Sequence, residues 1–237
     1  MGDIFRRIEK KYIISRAQYG SLKKFLNQYM VEDEHGKSTI RNIYFDSGSY
    51  ELISHSIAKP FFKDKVRARS YNMPNKNSKV YLEIKRKCDG VVGKRRIEMK
   101  LGDLENYITN GLSLNIDNTQ IKRELDYYFQ RYELKPAMYL SYSREAYYQK
   151  DDRDMRITFD NNIIARPYDI RLDSENYGTN ILSPNLYVME IKTLGAMPLW
   201  LVKILNEVQI KPCGFSKYGE AYTQLILEAN DYQSCVI

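Results

Sequence analysis

Between Lys65 and Glu98 the chain alternates charged and apolar residues at period two, through KVRARSY, KVYLEIKRK and KRRIEM. That alternation calls for strands that bury one face only. The first piece sets Lys65, Arg67, Arg69 and Tyr71 on one face against Val66, Ala68 and Ser70. The second sets Tyr81, Glu83, Lys85 and Lys87 against Val80, Leu82 and Ile84, and the third groups Lys94, Arg96 and Glu98 against Ile97, Met99 and Leu101. Two arrangements satisfy the pattern. An antiparallel sheet can leave its charged face in water. Alternatively, a closed or nearly closed sheet can keep a polar interior while helices cover its apolar outside, and this requires distant strands to carry the same kind of face.

Distant strands do. RRIEKKYII at 6–14 places Arg7, Glu9 and Lys11 opposite Ile8, Tyr12 and Ile14. MRITFD sets Arg156, Thr158 and Asp160 against Met155, Ile157 and Phe159, and LYVMEIKT sets Val188, Glu190 and Lys192 against Tyr187, Met189 and Ile191. TIRNIYFD is less regular, because Arg41 falls in register with Ile43 and Phe45. AMYLSYSREAYY reads as a strand with Met138, Leu140, Tyr142 and Arg144 on one face, its orientation left open by parity. VEDEHGK is predicted as a polar turn and DIRLDSENYGTN as a loop.

Helical spacing supplies the cover. Ser15 caps a predicted helix reaching about Met30, and Asn118 caps one containing Ile121, Leu125 and Tyr132. A helical pattern at 103–110, one opened by Pro198 with Leu199, Val202 and Leu205, and one from Ser216 to Ala229 complete the set. No Pro/Gly-rich linker divides the chain, so one domain over 1–237 is expected. The expected fold is α+β: an antiparallel β tunnel of about eight strands with a polar, basic interior and helices packed outside.

The chain carries 37 basic and 30 acidic residues, a formal net charge of +7, which favours an anionic partner. Cys88, Cys213 and Cys235 show no CxxC spacing, and His35 and His55 lie far from any ligand cluster, so no disulfide framework or thiolate or histidine metal site is predicted. The absence of a long apolar run or signal-peptide core points to a cytoplasmic protein without a transmembrane segment. The 21 tyrosines could interleave with cations to stack single-stranded nucleic acid. No nucleic-acid-binding signature accompanies them, and most, like Trp200, are read as packing residues.

An interior dense in Lys and Arg repels itself unless carboxylates and bound anions compensate. Several phosphates in a row would do so. Arg67 and Arg69 can clamp phosphoryl oxygens, and Lys11, Lys65, Lys85 and Lys94 add charge. Glu9, Glu83 and Glu190 offer hard oxygen ligands for Mg²⁺ or Mn²⁺, with internal ion pairing as the alternative for each.

At this point the chain resembles the VTC-domain polyphosphate polymerases of the CYTH-like triphosphate tunnel group. The resemblance is carried by RRIEKKY, KVRARSY, LEIKRK, GKRR, YSREAYY, MRITFD, MEIKT and FSKYG in that order. It implies transfer of the terminal phosphoryl group of ATP to a growing inorganic polyphosphate chain, promoted by Mn²⁺ or Mg²⁺. It assigns substrate-handling roles to Lys11, Arg67, Arg69, Lys85, Lys94, Arg144, Arg156 and Lys217. Glu190 becomes the principal metal ligand, Ser216 and Tyr142 bond phosphates, and Lys192 is a further candidate. The wider group's first strand carries two glutamates before its lysine. Here Arg7 replaces the first, which fits the VTC branch better than a two-metal triphosphatase. The membrane segments and regulatory domain of eukaryotic members are lacking, so a stand-alone catalytic domain is expected. Triphosphate hydrolysis is the nearest alternative activity, and a noncatalytic polyphosphate- or nucleic-acid-binding module is the other.

Overall fold

The computed structural model describes residues 8–58, 60–89, 91–110, 119–152 and 154–229. Arg7, Cys235 and the expected cap Asn118 lie outside them. The chain runs β1 (Ile8–Ser15), α1 (Arg16–Tyr29), β2 (Met30–Asp46), α2 (Glu51–Ile57), β3 (Phe62–Tyr71), β4 (Lys79–Cys88) and β5 (Val91–Lys100). It continues through α3 (Leu101–Asn110), α4 (Thr119–Arg131), β6 (Lys135–Gln149), β7 (Arg156–Arg166), β8 (Thr179–Asn180), β9 (Leu186–Thr193), α5 (Leu199–Glu207) and α6 (Lys217–Tyr222). A π-helical turn at Thr223–Leu227 follows.

The strands form one sheet in the order β1-β9-β7-β6-β2-β3-β4-β5, with β8 added on β7. Among the described residues β1 and β5 end the path and do not pair with each other, so the sheet is open. This corrects the expected closed tunnel. The outer rim of β1 is engaged instead by the returning chain, where Cys213 N donates to the Lys11 carbonyl at 2.8 Å. On β5, the stretch Val91–Arg96 is exposed and ends in three consecutive cations, a composition that resists further strand pairing.

By compactness the chain divides into two units. The first comprises Met1–Ser38, Tyr142–Ile163 and Leu182–Ser216. Its register aligns Tyr12 with Met189 and Phe159, Ile14 with Tyr187, and Ile191 with Ile157, so the apolar residues of three strands share a face. Leu22 and Leu26 of α1 and Leu201, Ile204 and Leu205 of α5 bury against it. Helix α1 starts where Ser15 forms a capping box: Gln18 N donates to Ser15 Oγ at 3.2 Å and Ser15 N to Gln18 Oε1 at 3.0 Å. In α5, Pro198 is the cap and not the first helical residue, and the buried face is Leu201, Ile204 and Leu205, with Leu199 and Val202 exposed. The segment expected as a turn, VEDEHGK, is strand, and Gly36 bends it at φ 50°.

The second unit comprises Thr39–Ser141, Ile164–Ile181 and Lys217–Ile237. Ile43, Val66, Ala68, Leu82, Ile84 and Ile97 form the apolar face, covered by Leu104 and Tyr107 of α3 and Leu125 and Tyr128 of α4. Each fully buried aliphatic side chain here contributes about 1.5–3 kcal/mol. Arg41, out of pattern in the sequence, is 6% exposed and donates to the carbonyls of Leu172 (3.2 Å) and Ser174. Arg166, fully buried, lies 3.8 Å from the Tyr139 ring and 4.1 Å from that of Tyr177, and donates to the carbonyls of Asp169 and Tyr177. Together they hold the 169–177 loop by its backbone.

Replacing the cap of α1, Ser15→Ala, is expected to remove about 1 kcal/mol of stability. Urea unfolding followed by circular dichroism measures it, and an unchanged midpoint would contradict the capping assignment.

Candidate functional site

The polar face of the second unit is arranged in cross-strand rows. Lys65 stands opposite Lys85, and Lys85 opposite Lys94, so three ammonium-bearing residues align across β3, β4 and β5. Like charges in direct opposition are destabilising. In the next row Arg67 faces Glu83 and Glu83 faces Arg96, with Tyr44 of β2 beside Arg67. Beyond it Arg69 faces Tyr81, with Asn42 alongside.

Glu83 is the anionic centre of this face and is 1% exposed. Its Oε2 accepts from Arg67 Nε at 2.7 Å, and its Oε1 lies 2.5 Å from Lys94 Nζ. Burial alone would raise its pKa, but Arg67, Arg69 and Lys94 overcome that and hold it down to about 2. Lys94 moves down as well, through burial and the nearby guanidinium groups, against the pull of Glu83. Three cations thus surround one carboxylate. Arg67 Nη1 also reaches Tyr44 Oη at 3.4 Å, and Arg69 Nε donates to Asn42 Oδ1 at 3.0 Å. Asn42 is itself anchored to the Leu140 carbonyl at 3.1 Å. Lys217 opens α6 in this unit.

In the first unit the register pairs Glu9 with Lys192 and Lys11 with Glu190. Lys11 Nζ lies 3.7 Å from both Glu9 Oε1 and Glu190 Oε1, and Lys192 Nζ lies 3.0 Å from Glu190 and 3.9 Å from Glu9. The four charges balance. Lys11 also donates to the Phe215 carbonyl at 3.1 Å, next to the half-buried Ser216. Arg144 grips Asp160 with two bonds of 2.6 and 2.7 Å and lies 5.1 Å from the Tyr142 ring. Burial opposes its charge, yet Asp160 carries its pKa well above the ordinary guanidinium value. Arg156, opposite Lys192 in register, is drawn to Asp33 at 2.7 Å.

Each unit thus brings together its own share of the expected residues: Lys65, Arg67, Arg69, Glu83, Lys85 and Lys94 in one, Glu9, Lys11, Glu190 and Lys192 in the other. Sequence reasoning missed the groups that orient them. Asp160 stood on the anticipated face, but nothing local named Arg144 as its partner. Asn42 and Tyr44 act through the β2–β3 register, which parity within β2 alone does not reveal. Asp46 was also missed: it accepts from Leu52 N and Ile53 N at 2.9 and 3.0 Å and from Tyr218 Oη at 2.9 Å, fastening α2 from five residues upstream.

Among the described residues no group of three or more His, Cys, Asp or Glu side chains is placed to hold a metal ion. No helix among them is long and apolar enough to cross a membrane.

A family model for the VTC domain matches residues 6–226. The chain belongs to the VTC domain family. A search of curated proteins gave no match. Among solved structures, a Bacillus halodurans protein provisionally named an adenylate cyclase is similar at TM-score 0.54 and 14% identity, over 89% of this chain and 95% of that one. A Vibrio parahaemolyticus protein of the same provisional name reaches 0.48 at 8% identity, covering 90% and 96%. A Pyrococcus horikoshii protein reaches 0.44 at 17%, covering 94% and 99%. The first likeness establishes a shared fold. Family membership supports enzymatic phosphate chemistry in general, either phosphoryl transfer or triphosphate processing.

The carboxylate of Glu83 gives a signed pH dependence. Its folded pKa of about 2 lies below the ordinary 4.5. Its contribution, about 3 kcal/mol for a group so deeply buried, is therefore present above pH 4.5 and lost as pH falls towards 2. Glu83→Gln should be less stable at pH 7 and show a flatter stability profile between pH 5 and 2. Parallel profiles for variant and parent in denaturant titrations would refute this.

Proposed function

We propose that the chain is a metal-dependent polyphosphate polymerase that transfers the terminal phosphoryl group of ATP to a growing inorganic polyphosphate chain. The observation that carries the reading is the alignment of cations on the second unit's face within a VTC domain: Lys65, Lys85 and Lys94 in one row across three strands, beside Arg67 and Arg69. Such rows match a ligand whose charge repeats along its length. A phosphate chain does, and its oxygens would relieve the mutual repulsion of the lysines.

Phosphoryl transfer needs little covalent help from a protein; positioning and charge stabilisation do most of the catalysis. Arg67 and Arg69 are held by Glu83 and Asn42, so their guanidinium groups are oriented before substrate arrives. Lys65, Lys85 and Lys94 hold phosphate charge. In the first unit, Arg144, Arg156, Tyr142, Lys192 and Ser216 are assigned phosphate-handling roles, and Lys217 is assigned one in the second.

The donor chemistry distinguishes the glutamates as metal ligands. Glu83 has both oxygens committed to cations and serves as internal counterion. Glu9 and Glu190 are less enclosed, with side chains 24% and 13% exposed, and both lie within 4 Å of Lys11 and Lys192. Two carboxylates completed by substrate phosphate oxygens suit Mg²⁺ or Mn²⁺. A bound ion would neutralise phosphate charge and polarise the transferring group. Lys11 and Lys192 bridge the two carboxylates, and the Phe215 carbonyl fixes Lys11.

Incubation with ATP and Mn²⁺, with ADP, free phosphate and chain length measured together, tests the reading. Expected are ADP release and chains longer than the supplied phosphate. Free phosphate without elongation would replace the polymerase with a hydrolase, and binding without turnover would leave a binding module. Arg67→Ala should lower turnover by about tenfold or more, since a charge-assisted contact contributes about 1.5–3 kcal/mol. Glu190→Gln should raise the metal concentration needed for half-maximal rate. Unaltered kinetics in either variant would remove its assigned role.

A further inference from the structure

The cation-bearing face of β3 ends in an aromatic residue. Lys65, Arg67, Arg69 and Tyr71 lie on the same side at successive two-residue steps, and Tyr71 is 43% exposed while Arg69 is 6% exposed. Across the strand pair, Tyr81 stands opposite Arg69. The rings of Tyr71 and Tyr81 meet edge to face, 5.9 Å apart at 82°. Arg96 of β5 places its guanidinium carbon 4.8 Å from the centre of the Tyr81 ring. An exposed ring, a second ring roughly perpendicular to it and a guanidinium group thus gather where the proposed phosphate-binding rows end.

Phosphate oxygens gain nothing from a tyrosine face, whereas a nucleobase gains by stacking on it. We propose that Tyr71, buttressed by Tyr81 and flanked by Arg96, seats the base of a nucleoside triphosphate whose phosphates lie towards Arg69 and Arg67. The proposal rests on the reading of this face as a phosphate site and adds the end at which the nucleoside sits. The spacing is suitable. At about 3.3 Å per residue, Tyr71 is about 7 Å from Arg69 and about 13 Å from Arg67 along the strand, steps comparable with those from a base across its ribose to successive phosphates. Stacking tolerates any base, because every base has a π face. The site therefore separates nucleotide from inorganic phosphate chains without selecting strongly among nucleotides.

Titration calorimetry in metal-free buffer, where transfer does not proceed, tests this with ATP and inorganic triphosphate as the two probes. Tyr71→Ala should weaken ATP binding by about tenfold and leave triphosphate binding unchanged, and Tyr71→Phe should restore ATP binding. Arg67→Ala should weaken both ligands together. Thermal unfolding of Tyr71→Ala should remain a single cooperative transition with only a small decrease in midpoint, since what it loses is the Tyr81 ring contact. If Tyr71→Ala weakens both ligands equally, or neither, the base seat is wrong while the phosphate face stands. If the parent protein binds neither ligand, the phosphate face falls and the base seat falls with it.

Discussion

The carboxylate of Glu83 is the interaction on which the charged face depends. It draws Arg67, Arg69 and Lys94 together beside the row of three aligned lysines. The two guanidinium groups are further directed by hydrogen bonds to Asn42 and Tyr44. Such a surface favours a multivalent anion because the cost of gathering the cations has already been met in folding.

The two units use the same alternating strands for different electrostatic ends. In the first, Glu9, Lys11, Glu190 and Lys192 alternate in sign, with each carboxylate within 4 Å of both ammonium groups. In the second, cations outnumber carboxylates. A balanced quartet with two hard oxygen donors can exchange an ammonium contact for a metal ion, while an unbalanced face can only be completed by an anion. The apolar side of each set of strands is covered by helices in both cases, which is why the polar side can carry function without endangering the core.

Much of this was legible in local pattern. Period-two alternation placed Ile157, Phe159, Met189 and Ile191 in a core and Glu190, Lys192 and Thr158 on the other face, and the register agrees residue by residue. Ser15 was legible as a cap because its partner, Gln18, is three residues away. What failed depends on partners far apart in sequence. Whether the sheet closes is decided by backbone groups at its rims, and side-chain alternation is silent about those. The polar VEDEHGK stretch reads as a turn, yet it extends as strand and Asp33 within it meets Arg156, 123 residues away. Arg41 looks misplaced on an apolar face until the 169–177 loop returns to supply carbonyls.

The open end of the sheet gives the cations of β5 a second consequence. Val91–Arg96 is a solvent-exposed terminal strand, the kind of backbone ribbon on which a neighbouring molecule can nucleate further pairing. A run of cations, Lys94, Arg95 and Arg96, disfavours such pairing, and on the proposed reading the same charges would attract the ligand. Under the proposed reading, a long polyanion that masked them would remove that repulsion and could bridge one molecule to the next. Self-association would then follow the length of the bound chain.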